Sequence, residues 1–147
     1  MLFRSLEMWF SGGRTEGGGE VVWRAINEMF AGLHWARLVQ APWAPWPEFR
    51  QTVRHMHLLL QPSYTESFNM VTADGIAMGV PSVVSDAIDW APESWKAEHD
   101  DALSVSDVGV RLLHSRSAMW RGRRALVAHN REGLQVWRQF LSEGSHA

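Results

Sequence analysis

The sequence predicts an α/β fold, a doubly wound parallel sheet flanked by helices in the Rossmann manner, and three observations carry that expectation. Short apolar runs alternate with stretches of helical periodicity, and the connections between them are brief and punctuated by Gly and Pro. One strand, helix, strand unit, Leu58 to Ser85, also has a length suited to a right-handed parallel crossover. At 147 residues the chain fits one domain, and such a domain buries roughly 70% of the surface its unfolded form exposes. The expectation is therefore a single domain over 1–147, fraying over 142–147.

Leu6 to Phe10 is a short apolar run and predicts the first strand. It ends where Ser11 to Gly19 becomes too glycine-rich for any regular element. Val22, Ala25, Ile26, Met29 and Phe30 then recur at helical spacing after Glu20, so a helix closes near Gly32 and a strand follows from Ala36 to Gln40. Pro42, Pro45 and Pro47 remove donors and bias their neighbours toward extended geometry, which makes this segment a stiff loop. Pro47 suits the first turn of a helix through Phe49, Val53 and Met56.

Leu58 to Gln61 reads as a strand buried on both faces. From Phe68 the apolar positions Val71, Ile76 and Met78 follow helical spacing, and Gly79 with Pro81 stops that helix before the strand Ser82 to Ser85. Ile88 to Pro92 is expected to be loop with apolar anchors, and Val105 to Leu113 a short helix. The remainder is helical, with Leu126, Leu134, Trp137 and Leu141 on one face and an interruption at Gly133.

Fourteen Lys and Arg against sixteen Asp and Glu give a net charge of −2, which argues against nucleic acid or an anionic membrane as a broad electrostatic partner. The chain has no cysteine, hence no disulfide or thiolate metal site, which fits a reducing, cytoplasmic compartment. No apolar stretch approaches the roughly 20 residues of a membrane helix. His55 and His57 lack acidic partners at ligand spacing, and no Asp-x-Asp occurs, so no metal is expected. Arg121, Arg123 and Arg124 form a basic cluster that suits a solvated helix face, or less simply a phosphate or lipid contact.

Doubly wound sheets bind ligands beyond the carboxyl ends of their strands, which selects the loops Ser11 to Gly19, Ala41 to Pro47 and Pro62 to Asn69. The third loop enters a helix around Ser67 to Asn69. A helix N-terminus offers free N–H donors and about half a positive charge, which suits a diphosphate. Glu66 precedes that turn and Asp74 lies eight residues on, roughly 12 Å along a helix. The two acids could grip opposite ends of one elongated ligand, or could simply complement the dipole and face solvent.

The string Leu58 to Ser85, LLLQPSYTESFNMVTADGIAMGVPSVVS, resembles the donor-binding motif of group 1 retaining glycosyltransferases of the GT-B fold. That family's pattern runs through an apolar strand, Pro-Ser, Glu, an aromatic, a second acid, Gly, Pro and a valine-rich strand. The resemblance implies that Glu66 meets hydroxyls of the transferred sugar, that backbone from Ser67, Phe68, Asn69 and Met70 meets the diphosphate, and that Asp74 binds ribose hydroxyls. The family carries Glu where this chain has Asp74, which is one methylene shorter. Trp43 stands in the loop that lines the base in the family, and could equally cover apolar surface there.

The same resemblance implies one half of an enzyme. A full GT-B protein has an acceptor domain and, in its second half, a first strand-helix unit with basic residues for the diphosphate. Neither is expected here, although Arg14 beside the glycine loop could partly substitute. The function anticipated is donor binding, with a nucleotide-diphosphate sugar as substrate and no cofactor, and transfer requiring a separate acceptor domain. The alternatives are a non-catalytic nucleotide-binding module and a fragment that self-associates as a homo-oligomer through surface such as Trp137 and Phe140.

Overall fold

The computed structural model describes residues 5–11 and 19–144. The chain falls into two compact units, Met1–Phe49 and Arg50–Ala147. It is an α/β protein, and its strands pair in parallel as anticipated. The described strands form two separate two-stranded sheets.

In the first unit, β1 (Leu6–Phe10) and β2 (Ala36–Gln40) flank α1 (Gly19–Ala31). All three elements lie where apolar spacing placed them. The strands run in register from Leu6 opposite Ala36 to Phe10 opposite Gln40. Phe10 stacks on Trp23 of α1 with ring centroids 5.5 Å apart. Glu7 faces Arg37 across the pair, and its carboxylate accepts from the Arg37 guanidinium and from Trp9 Nε1. Those two donors hold the Glu7 carboxyl below its ordinary pKa.

The division between units falls within α2 (Trp46–Arg54). This helix opens on the Pro45 carbonyl, which accepts from the Glu48 and Phe49 N–H groups, and so places Pro47 in the first turn, where its missing donor is harmless. It stops at Arg54, two residues before the expected Met56, because His55 and Met56 turn back to Thr52 and Val53 in a tight i to i−3 closure.

The second unit is built on β3 (Leu59–Gln61), α3 (Met70–Met78) and β4 (Ser82–Val84), with β3 and β4 paired in parallel from Leu59 opposite Ser82 to Gln61 opposite Val84. Helix α3 ends in a Schellman motif. Gly79 takes φ +85°, its N–H reaches the Ile76 carbonyl, and the Val80 N–H reaches the Gly75 carbonyl at 2.8 Å. Gly75 lets α3 lie close on the sheet, since a Cβ there would sit 2.6 Å from Leu59 Cδ1. β4 is buried throughout, but β3 is not covered on both faces, for Leu60 is 43% exposed. Leu59 meets α3 at Gly75, whereas Leu60 on the opposite side is only partly covered.

Past β4 the chain supplies much of the core. Ile88, Trp90 and Ala91 from the expected loop are buried, and Trp95, in a 3₁₀ turn over Glu93–Trp95, is fully buried. Lys96 forms a parallel bridge to Val84. Helix α4 (Ala102–His114) is capped by Asp101, whose carboxylate accepts from the Leu103 N–H at 2.8 Å. Helix α5 (Ala118–Gly144) closes the unit against Trp95 at Gly122, where a Cβ would fall 2.5 Å from the indole ring. It continues without a break through Gly133 and on to Gly144, so the propensity cost of one glycine does not end it.

Candidate functional site

The turn from β3 into α3 is organised by Asn69. This residue adopts the left-handed region at φ 59° and ψ 83°, the only described non-glycine residue with positive φ, and it is 6% exposed. Asparagine tolerates this conformation better than other side chains with a Cβ. Its Oδ1 accepts from the Thr72 N–H at 2.8 Å, which caps α3. Its Nδ2 donates to Gln61 Oε1 at 3.1 Å and to Glu66 Oε1 at 2.9 Å. One buried amide thereby ties the end of β3, the loop carboxylate and the helix start together.

Among the described residues, no acceptor engages the N–H groups of Ser67, Phe68, Met70 or Val71. Ser67 and Met70 are exposed and Phe68 and Val71 half-buried, so the turn lies at the surface of the unit. Together with the dipole of α3 these amides present a positive electrostatic face, and the exposed Glu66 carboxylate stands beside it. This arrangement suits a ligand that is anionic at one point and rich in hydroxyls at the next.

The aromatic after Glu66 has a different duty. The Phe68 ring packs against Trp90, at 5.4 Å, and His129 of α5, at 5.5 Å, in a three-ring cluster, and its carbonyl accepts from Trp90 Nε1 at 2.6 Å. Phe68 therefore anchors the loop against the core. A second anchor is the Ser85 hydroxyl, which donates to the Ser63 carbonyl. With both ends of the loop pinned, its amides are held in fixed directions.

Asp74 lies on α3 with its side chain 14% exposed, and its Oδ1 is 3.6 Å from Arg50 Nε. The acid is thus paired and mostly covered. Glu66 and Asp74 both belong to the second unit, and Asn69 joins Glu66 to the cap of the helix that carries Asp74. Trp43 belongs to the first unit and is 74% exposed. Arg14 lies outside the described residues.

Sequence reasoning located the loop and the acids, and did not assign roles to Gln61, Arg50, Trp90 or His129. The signal for the cap was present, since Asn is a preferred N-cap residue and tolerates left-handed backbone. Arg50, Trp90 and His129 come from distant parts of the chain, and no local periodicity marks them. Among the described residues no three His, Asp or Glu side chains gather as a metal site would require, and no helix is long and apolar enough to cross a membrane. Comparisons of the chain with protein-family models, with curated proteins and with solved structures found no match.

Proposed function

We propose that the turn from β3 into α3 binds the diphosphate of a nucleotide sugar, and that the chain is the donor-binding domain of a glycosyltransferase. The observation that carries this reading is the run of unengaged amides at Ser67, Phe68, Met70 and Val71 beside a carboxylate held in place by Asn69. The amides receive the phosphoryl oxygens. Glu66 accepts from hydroxyls of the sugar. Asp74, oriented by Arg50, serves the ribose. This reading carries with it the doubly wound sheet and the GT-B half-fold that the string Leu58 to Ser85 resembles, in a cytoplasmic protein.

In chemical terms, leaving-group departure creates charge on the diphosphate, and fixed backbone dipoles stabilise developing charge without reorganising. No metal is invoked. Transfer also needs an acceptor hydroxyl held within roughly 3.5 Å of the reacting carbon, so a separate acceptor domain is the partner implied.

Thermal unfolding of the chain with UDP, GDP, ADP and their sugars tests the reading. A ligand at 100 times its dissociation constant adds about 2.7 kcal/mol of stability. The expected result is stabilisation by one base series, larger for its sugar than for its diphosphate, with that difference abolished by Glu66→Gln. Flat melting curves across the series would refute it.

A further inference from the structure

Helix α5 carries a face that the rest of the unit leaves open. Trp120, Val127, Leu134 and Leu141 recur every seven residues, and each is between 57% and 65% exposed. Four residues after the first three of these stand Arg124, Arg131 and Arg138, all exposed. Arg124 also lies over the Trp120 ring at 5.5 Å. The line three residues after each apolar position runs Arg123, Asn130, Trp137 and Gly144, of which only Trp137, 63% exposed, is a large apolar residue. Val127, Asn130, Arg131, Leu134, Gln135 and Arg138 line a shallow groove of about 520 Å³.

A two-stranded helix seam uses two apolar lines per heptad with charges on their border, and α5 offers the first line in full and the second at Trp137. On a straight helix that repeat drifts about 20° per heptad, so a partner must wind around α5 to follow it. The border here has one sign. Helix α5 carries five arginines against two glutamates, with no Lys or Asp, although the chain as a whole is net negative. Guanidinium groups pair with carboxylates through two parallel hydrogen bonds.

A second copy of the chain does not meet this need. In an antiparallel pair the arginine rows face each other, and in a parallel pair they face Leu126, Gly133 and Phe140, which offer no acid. A lipid surface fits less well than a helix, since it presents no side chains at the seven-residue spacing of the apolar line. We infer that α5 docks an amphipathic helix whose apolar seam is bordered by Asp or Glu, supplied by another protein or domain.

Titration of the full chain with two synthetic 28-residue helical peptides tests this. Both carry leucine at the first and fourth heptad positions, and glutamate or lysine fills the bordering ones. The glutamate peptide is expected to bind at least tenfold more tightly, and the preference should invert in the triple variant Arg124→Glu, Arg131→Glu, Arg138→Glu. Leu134→Asp should weaken both peptides, with circular dichroism confirming that each variant keeps its helix. Equal affinity for the two peptides, or binding of neither, overturns the inference. So does self-association of the chain abolished by Leu134→Asp, or co-sedimentation with phosphatidylglycerol vesicles lost in the triple variant.

Discussion

Replacing Asn69 separates two duties that one side chain performs. Its backbone occupies the left-handed region, and its amide caps α3 while holding Glu66. Asn69→Ala loses the cap, which costs about 1 kcal/mol, and places a residue with no local compensation at positive φ, which costs about 1 kcal/mol more. Asn69→Gly removes the second cost, because glycine adopts positive φ freely and is itself an acceptable cap residue, so its loss should stay below about 1 kcal/mol. Asn69→Asp keeps an oxygen for the Thr72 N–H but has no donor for Gln61 or Glu66, and it sets two carboxylates side by side. Urea unfolding at 25 °C followed by circular dichroism, with hydrogen exchange at the Thr72 amide, should rank Ala as about 1 kcal/mol worse than Gly. Exchange at Thr72 should be faster in Ala and Gly and near native in Asp. Equal stability of Ala and Gly, or unchanged exchange in all three, would refute the division of roles.

Three further outcomes follow from the packing and charges of the second unit. Gly122→Ala drives a methyl into the fully buried Trp95 ring, 2.5 Å from its nearest atom, and thermal unfolding should register a loss of about 1–3 kcal/mol. Trp90→Phe keeps an aromatic against Phe68 and His129 but deletes the donor to the Phe68 carbonyl, so denaturation should show a loss of about 1 kcal/mol. Lys96 donates to Glu93 at 3.1 Å and lies 3.5 Å from Asp86, and the Glu93 bond, reinforced by both carboxylate charges, raises its pKa above the ordinary lysine value. A raised folded pKa gives stability that is complete below the unfolded value and fades as pH rises through the folded one. The stability gap between the native chain and Lys96→Met should therefore be constant from pH 7 to 9 and shrink above pH 10; a gap that widened there would oppose this.

How much of this could be read from residues alone differs by element. Local signals sufficed for β1, α1 and β2, where apolar spacing and flanking glycines agree, and for the end of α3, where Gly79 and Pro81 leave few alternatives. The burial of β3 was misjudged because a continuous apolar run does not say which neighbours cover it, and Leu60 proves exposed. Gly133 looked like a break, yet a single glycine costs only about 1 kcal/mol and the helical ladder carries it. Within the candidate site, the loop was legible from its place between a strand and a helix, and Glu66 was singled out by what the string Leu58 to Ser85 resembles. The Arg50 partner of Asp74 lies twenty-four residues away, and His129 stacks on Phe68 from sixty-one residues further along, so only tertiary structure could join them. The Phe68 ring shows the limit clearly, since an aromatic beside a binding loop reads the same whether it meets ligand or core.

The most direct measurement is a backbone amide spectrum of the full chain during addition of nucleoside diphosphate and then of its sugar. If the unengaged donors of the β3–α3 turn take the phosphoryl oxygens, the resonances of Ser67, Phe68, Met70 and Val71 will shift first and together, and the sugar will add shifts at Glu66 that vanish in Glu66→Gln. Shifts confined to other parts of the chain, or a spectrum unmoved by every diphosphate at millimolar concentration, would contradict the proposal.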